Sequence, residues 1–117
     1  MYLLTSREID KLKKAGVAVA DERWGYNEKE RKSGWYYVVP ASATKYLVVR
    51  ESVETLYDEF DSVIGCGDTV VYLVYIDNML VGDFTARIGS YYDSGDRFLA
   101  GLFRKIALWR AMRVLGV

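Results

Sequence analysis

The chain has 117 residues, with 16 Lys/Arg against 16 Asp/Glu, ten Tyr, three Trp, one Cys and no His. That length suits a single domain with a sizeable core, and the apolar and aromatic content excludes a disordered chain. Without His there is no Ser-His-Asp or Cys-His catalysis and no His-containing metal site, and Cys66 alone supports neither an internal disulfide nor a cysteine-rich zinc site.

The first element is a helix. Thr5 reads as its N-cap and Glu8 as the N3 partner of a capping box. Leu4 and Ile9 suit a hydrophobic staple, Ile9, Leu12 and Ala15 form a narrow apolar stripe, and Gly16 is the expected C′ stop. Residues 17–20 read as a short extended piece. Residues 23–39 hold a hairpin, with Trp24 and Tyr26 on one arm and Trp35, Tyr36 and Tyr37 on the other. The charged connection 27–34 is expected to be solvated. Pro40 ends the second arm, residues 41–44 form a loop, and residues 45–51 form a strand.

Ser52 is read as the N-cap of a second helix. Val53, Leu56, Tyr57, Phe60, Val63 and Ile64 follow helical spacing, while Glu54, Asp58 and Asp61 occupy the opposite face. Gly65 is expected to stop this acidic helix.

Residues 69–88 carry the clearest structural signal, a β-hairpin turning at Asp77-Asn78. Its first arm is β-branched and aromatic, and its second arm alternates. A two-residue loop sets Ile76 against Met79, Val74 against Val81, Tyr72 against Asp83 and Val71 against Phe84. Gly82 permits a bulge. The side with Val71, Leu73, Phe84 and Ile88 reads as core. The other side, with Val70, Tyr72, Val74, Ile76, Met79 and Val81, needs a cover from the chain itself or from a second protomer.

Residues 89–96 read as a polar loop, and Asp96 or Ser94 caps the last helix, 97–115. Leu99, Leu102, Phe103, Ile106 and Trp109 form its main apolar face, and Ala100, Ala107 and Ala111 a stripe of small residues elsewhere. So little polar surface predicts burial on more than one side: either this is the central core helix of the domain, or it packs on the sheet and also meets a second protomer. The fold class expected is α+β: a mostly antiparallel sheet of about five strands, with an N-terminal helix, a middle acidic helix and a long apolar C-terminal helix.

The charge is unevenly laid out. Residues 1–50 carry ten bases and six acids, residues 51–86 eight acids and no base, and residues 87–117 six bases and two acids. Such asymmetry bears on association rather than on fold. Three sets of side chains are candidates for a site. Glu54, Asp58 and Asp61, with Glu51, Glu59 and Asp68, form an acidic face suited to a basic partner surface or a hard cation. Trp35, Tyr91 and Tyr92, with Trp24, Tyr26, Tyr36 and Tyr37, suit an interface or base stacking. Arg97, Arg104, Lys105, Arg110 and Arg113 offer charge for phosphates but are spread around the last helix.

A strand, a tight turn, then Leu80-Val81-Gly82-Asp83-Phe84, a loop with Ser94-Gly95 and a helix ending in Leu115-Gly116-Val117 resembles the middle of a GNAT-type acetyltransferase. That family binds pyrophosphate with a basic, glycine-rich loop at the helix start. Here Asp96 stands there and repels phosphate, so the resemblance implies at most a degenerate acetyltransferase-like domain.

The expected function is a small non-catalytic binding protein that acts by protein–protein contact, as a homodimer, with Glu54, Asp58, Asp61, Tyr91, Tyr92 and Trp35 at the partner surface. No cofactor or metal is expected. Small size and missing motifs fit an accessory or inhibitor protein of a virus or mobile element. The alternatives are a nucleic-acid or nucleotide-binding module and the degenerate acyltransferase. The lone thiol, the absence of an uncharged run of about 20 residues and the short apolar start predict a cytoplasmic location away from membranes.

Overall fold

In the computed structural model, residues 3–57, 59–90 and 97–117 are described, without the side chains of residues 53–57, 63–67, 89–90 and 97–99. Helix α1 spans Ser6–Lys14 and starts as its sequence dictates. The Glu8 N–H donates to Thr5 Oγ1 at 3.2 Å, and the Thr5 N–H donates to Glu8 Oε1 at 2.8 Å. Gly16 sits at φ 76°, where a Cβ is disfavoured, and the Val17 and Gly16 N–H groups reach back to the Leu12 and Lys13 carbonyls. This Schellman closure aims the chain straight into strand β1, Ala18–Asp21.

Strands β2 (Arg23–Asn27) and β3 (Lys32–Tyr36) form a separate antiparallel ladder, the expected first hairpin. Strands β4 (Lys45–Tyr57), β5 (Val63–Ile76) and β6 (Met79–Ser90) then form a meander. The main sheet runs in the order β1-β4-β5-β6; β1 is parallel to β4 and the other pairs are antiparallel. Helix α2 spans Arg97–Val114 and lies across β6 and β5. The fold is thus α+β, with six strands in two sheets among the described residues rather than about five in one.

The expected middle helix does not form. Residues 53–57 and 63–67 are strand, and Val53, Glu54, Thr55 and Leu56 pair with Asp68, Gly67, Cys66 and Gly65. The apolar spacing fits either period over so short a window, and two forces decide for strand. Val53, Thr55, Val63 and Ile64 are β-branched and favour the pleat. The all-acidic opposite face offers a helix only like-charge pairs such as Glu54 and Asp58. Asp61 takes φ 59° in the turn, a conformation Asp tolerates better than most residues.

The hairpin of β5 and β6 turns at Asp77 and Asn78, with φ of 52° and 62°, and pairs Ile76 with Met79 as expected. Beyond that pair the register differs. Val74 faces Gly82 and Tyr72 faces Phe84, because Val81 is an unpaired bulge residue next to Gly82. A second irregularity passes over Ile88. The shift moves Phe84 and Ile88 to the side of Val70, Tyr72, Val74 and Ile76, which is the main core beneath α1 and α2. Val71, Leu73 and Tyr75 face the opposite side, where Tyr37, Val39 and Ala43 cover them. The chain covers both faces of its central strands.

Beyond Glu51 on β4 and before Gly67 on β5, these two strands pair only with each other among the described residues. The molecule is correspondingly extended. Its radius of gyration is 16.0 Å, where a compact domain of this length has about 13 Å. No helix among the described residues is long and apolar enough to cross a membrane.

Candidate functional site

Helix α2 is apolar nearly all round, and the sheet selects which side to bury. Ala107, Leu108, Ala111 and Leu115 are buried on the core side. Two alanines there let the helix backbone approach β6 and β5 closely. The larger side chains are left outside: Leu102 is 42 % exposed, Phe103 51 %, Ile106 39 % and Trp109 56 %. The small-residue stripe is therefore the inner face. Of the expected main face, Leu102, Phe103, Ile106 and Trp109 point outward and the Leu99 side chain lies outside the described residues, so among the described residues α2 packs on the sheet through one side and is not a central core helix.

A groove of about 720 Å³ runs between α1 and α2. Ile106, Leu108, Trp109 and Met112 supply apolar surface, and Arg7, Lys11 and Lys105 stand around it. Its one carboxylate, Glu8, is already engaged: Arg104 reaches Glu8 Oε1 at 3.2 Å and Oε2 at 3.5 Å. Arg104 also donates to the Leu3 carbonyl at 2.7 Å and to the Tyr72 hydroxyl at 3.2 Å, while that hydroxyl donates to the same carbonyl at 2.9 Å. This network ties the start of the chain, β5 and α2 together and fixes the width of the groove.

The electrostatics follow from the packing. Burial raises the Tyr72 phenol above its ordinary range, and the nearby Arg104 charge offsets only part of that rise. Burial opposes the charge on Arg104, but its hydrogen bonds and charge interactions with Tyr72 and Glu8 outweigh burial and hold its proton more tightly. With Glu8 neutralised, the free charge around the groove is positive. Helix α2 itself contains Arg97, Arg104, Lys105, Arg110 and Arg113 and no acid. Arg113 lies over the Trp109 ring, 4.8 Å from its centroid. On the other side of α2, a second groove is lined by Phe84, Phe103 and Ile106, with Arg87, Arg110 and Asp83.

Trp35 lies on β3, opposite Trp24; their rings meet edge to face with centroids 5.5 Å apart. Both are exposed, as are Tyr26 and Tyr36. The Arg50 guanidinium sits 5.8 Å from the Trp35 ring and bonds Glu22 through two nitrogens at 3.0 and 2.9 Å. That pair ties the residue that precedes β2 to β4. Hydrogen bonding to Glu22 holds the Arg50 proton more tightly than usual, against the effect of burial.

Asp61 lies exposed in the turn between β4 and β5, and Glu54 is in β4 opposite Gly67. Asp58, Tyr91 and Tyr92 lie outside the described residues. Trp35 and Asp61 therefore stand on different hairpins, and Glu54 and Asp61 do not share a helix face. The surplus of apolar residues on α2 already allowed for a second protomer against it, but no residue of its outward face is among the partner residues expected from the sequence. Its composition was visible, but the three alanines at positions 100, 107 and 111 were the signal for the side nearest the sheet. Comparison with known proteins finds no matching family model, no matching curated protein and no matching solved structure.

Proposed function

We propose that the chain is a small non-catalytic binding protein that acts by protein–protein contact through the outer face of α2 and the groove beside α1. The observation that carries this reading is the contiguous exposed set Leu102, Phe103, Ile106 and Trp109, flanked by bases alone on the helix. Exposed apolar surface of this kind with a polar rim is characteristic of interaction sites. Trp and Arg in contact, as in Trp109 and Arg113, are frequent interface anchors.

Affinity capture from the native host with the wild type and with Trp109→Glu tests the reading. The captured proteins are expected to be lost with Trp109→Glu and retained with Lys14→Glu on α1. An identical captured set from Trp109→Glu contradicts it.

A second reading rests on the exposed ladder of β2 and β3. Trp24, Tyr26, Trp35 and Tyr36 are exposed beside Arg23, Lys29, Arg31 and Lys32, an arrangement that suits stacking of single-stranded bases. Binding of oligonucleotides that weakens steeply with salt and is lost in Trp35→Ala supports it, and a flat titration at low salt removes it.

A further inference from the structure

We propose that the groove between α1 and α2 receives the acidic turn of the β4–β5 ribbon from a second copy of the chain. This inference rests on the docking surface described above and names its occupant.

The turn carries Phe60, which is 80 % exposed, between Glu59 and Asp61, both exposed. It ends a two-stranded ribbon whose distal half pairs with no other strand among the described residues. An apolar ring between two carboxylates is the complement of an apolar groove ringed by Arg7, Lys11 and Lys105. The groove volume, about 720 Å³, lies within the span of roughly 300–1,000 Å³ common for binding clefts, ample for one aromatic side chain and its neighbours.

Charge also decides between the two ways that copies can meet. A symmetric contact of α2 with α2 sets Lys105, Arg110 and Arg113 against the same cations of the partner, because the helix has no acid to offer. A contact of the turn with the groove sets the acidic block 51–86 against the basic α2 instead. That contact is heterologous: each copy uses its turn on one neighbour and its groove on another. It therefore builds a ring if the rotation closes and a filament if it does not.

Sedimentation velocity of the full chain over a wide concentration range tests this with Phe60→Ser, which disables the turn, and Lys105→Glu, which disables the groove. The wild type is expected to form species larger than a dimer, and added salt to reduce them. Each variant alone is expected to associate at least about tenfold more weakly. Mixed in equal amounts, the two variants are expected to form a one-to-one dimer and nothing larger, since one intact turn meets one intact groove. Circular dichroism of each variant confirms that it is folded.

A monomeric wild type at every concentration overturns the inference, and so does a mixture that fails to pair. A monomer that still loses its captured proteins in Trp109→Glu removes the second copy as occupant and leaves the docking surface standing. A monomer that co-sediments with phosphatidylserine vesicles, and loses this in Lys105→Glu, assigns the groove to a membrane surface and overturns the inference as well.

Discussion

Single residues decide how the groove is held. Arg104 serves Glu8, Tyr72 and the Leu3 carbonyl at once, with its side chain 13 % exposed and that of Glu8 19 % exposed. Truncating one partner of a largely buried ion pair leaves the other charge uncompensated, which costs several times more than an exposed pair is worth. Arg104→Met is therefore expected to lower stability by about 2–4 kcal/mol in urea denaturation, with Tyr72→Phe costing about 1 kcal/mol for one lost hydrogen bond.

The raised phenols of Tyr72, Tyr37 and Tyr46, each caused first by burial, give a pH dependence of definite sign. The folded state keeps these protons where the unfolded chain releases them. Their contribution is complete below the ordinary tyrosine value of about 10 and is lost as pH rises from there through the folded values. Thermal melts above about pH 10 should fall, and less steeply in Tyr72→Phe. Glu51 has the same sign in a lower range. Burial, and then Asp68, raise its carboxyl above the usual value, so ionising it at neutral pH opposes folding. Glu51→Gln should stabilise the protein at pH 7 and leave it unchanged at pH 3. Equal effects at both pH values would contradict that assignment.

At the scale of elements, local signals were legible and non-local ones were not. The capping box of Thr5 and Glu8, the Gly16 stop and the Asp77-Asn78 turn are each fixed by a few neighbouring residues, and all form as read. The stretch 53–64 was read as a helix because its apolar residues fit both periods. Residues 53–57 are strand because they pair with residues 63–68, at the start of β5, a contact that a helical reading of the window does not contain. The bulge at Val81 is of the same kind: Gly82 permitted it, but only the packing of Phe84 and Ile88 under the helices shows what it achieves. For the site, the acidity of the β4–β5 turn and the exposure of Trp35 were legible. The direction in which α2 presents its bulky residues was not, since its apolar residues surround the helix and only the sheet selects a side. That choice has an energetic signature. Ala111→Leu, on the fully buried side, is expected to overpack and cost about 1–3 kcal/mol. Leu102→Gln, on the outer side, is expected to stay within about 0.5 kcal/mol of the wild type. A larger loss from Leu102→Gln than from Ala111→Leu would reverse the assignment of the two faces.

At the scale of the whole molecule, zero net charge conceals a separation of sign. The block 51–86 forms the acidic ribbon and much of the sheet centre, while the bases gather on the helices and the β2–β3 ladder. Two arms project from a packed body, so the acidic turn and the basic groove belong to different parts of an extended molecule. Contacts formed by such surfaces are sensitive to ionic strength, with a screening length of about 8 Å at physiological salt. They also stabilise the fold by mass action when occupied, so the melting temperature should rise with protein concentration if copies associate.

The most direct measurement places a photo-crosslinking amino acid at position 103, on the outer face of α2, in the native host, with position 14 on α1 as control. A docking surface predicts discrete protein adducts from position 103, either a second copy or another protein, that disappear in the Trp109→Glu background and are absent from position 14. No protein adduct at position 103, or adducts only to nucleic acid or lipid, would contradict the proposed function.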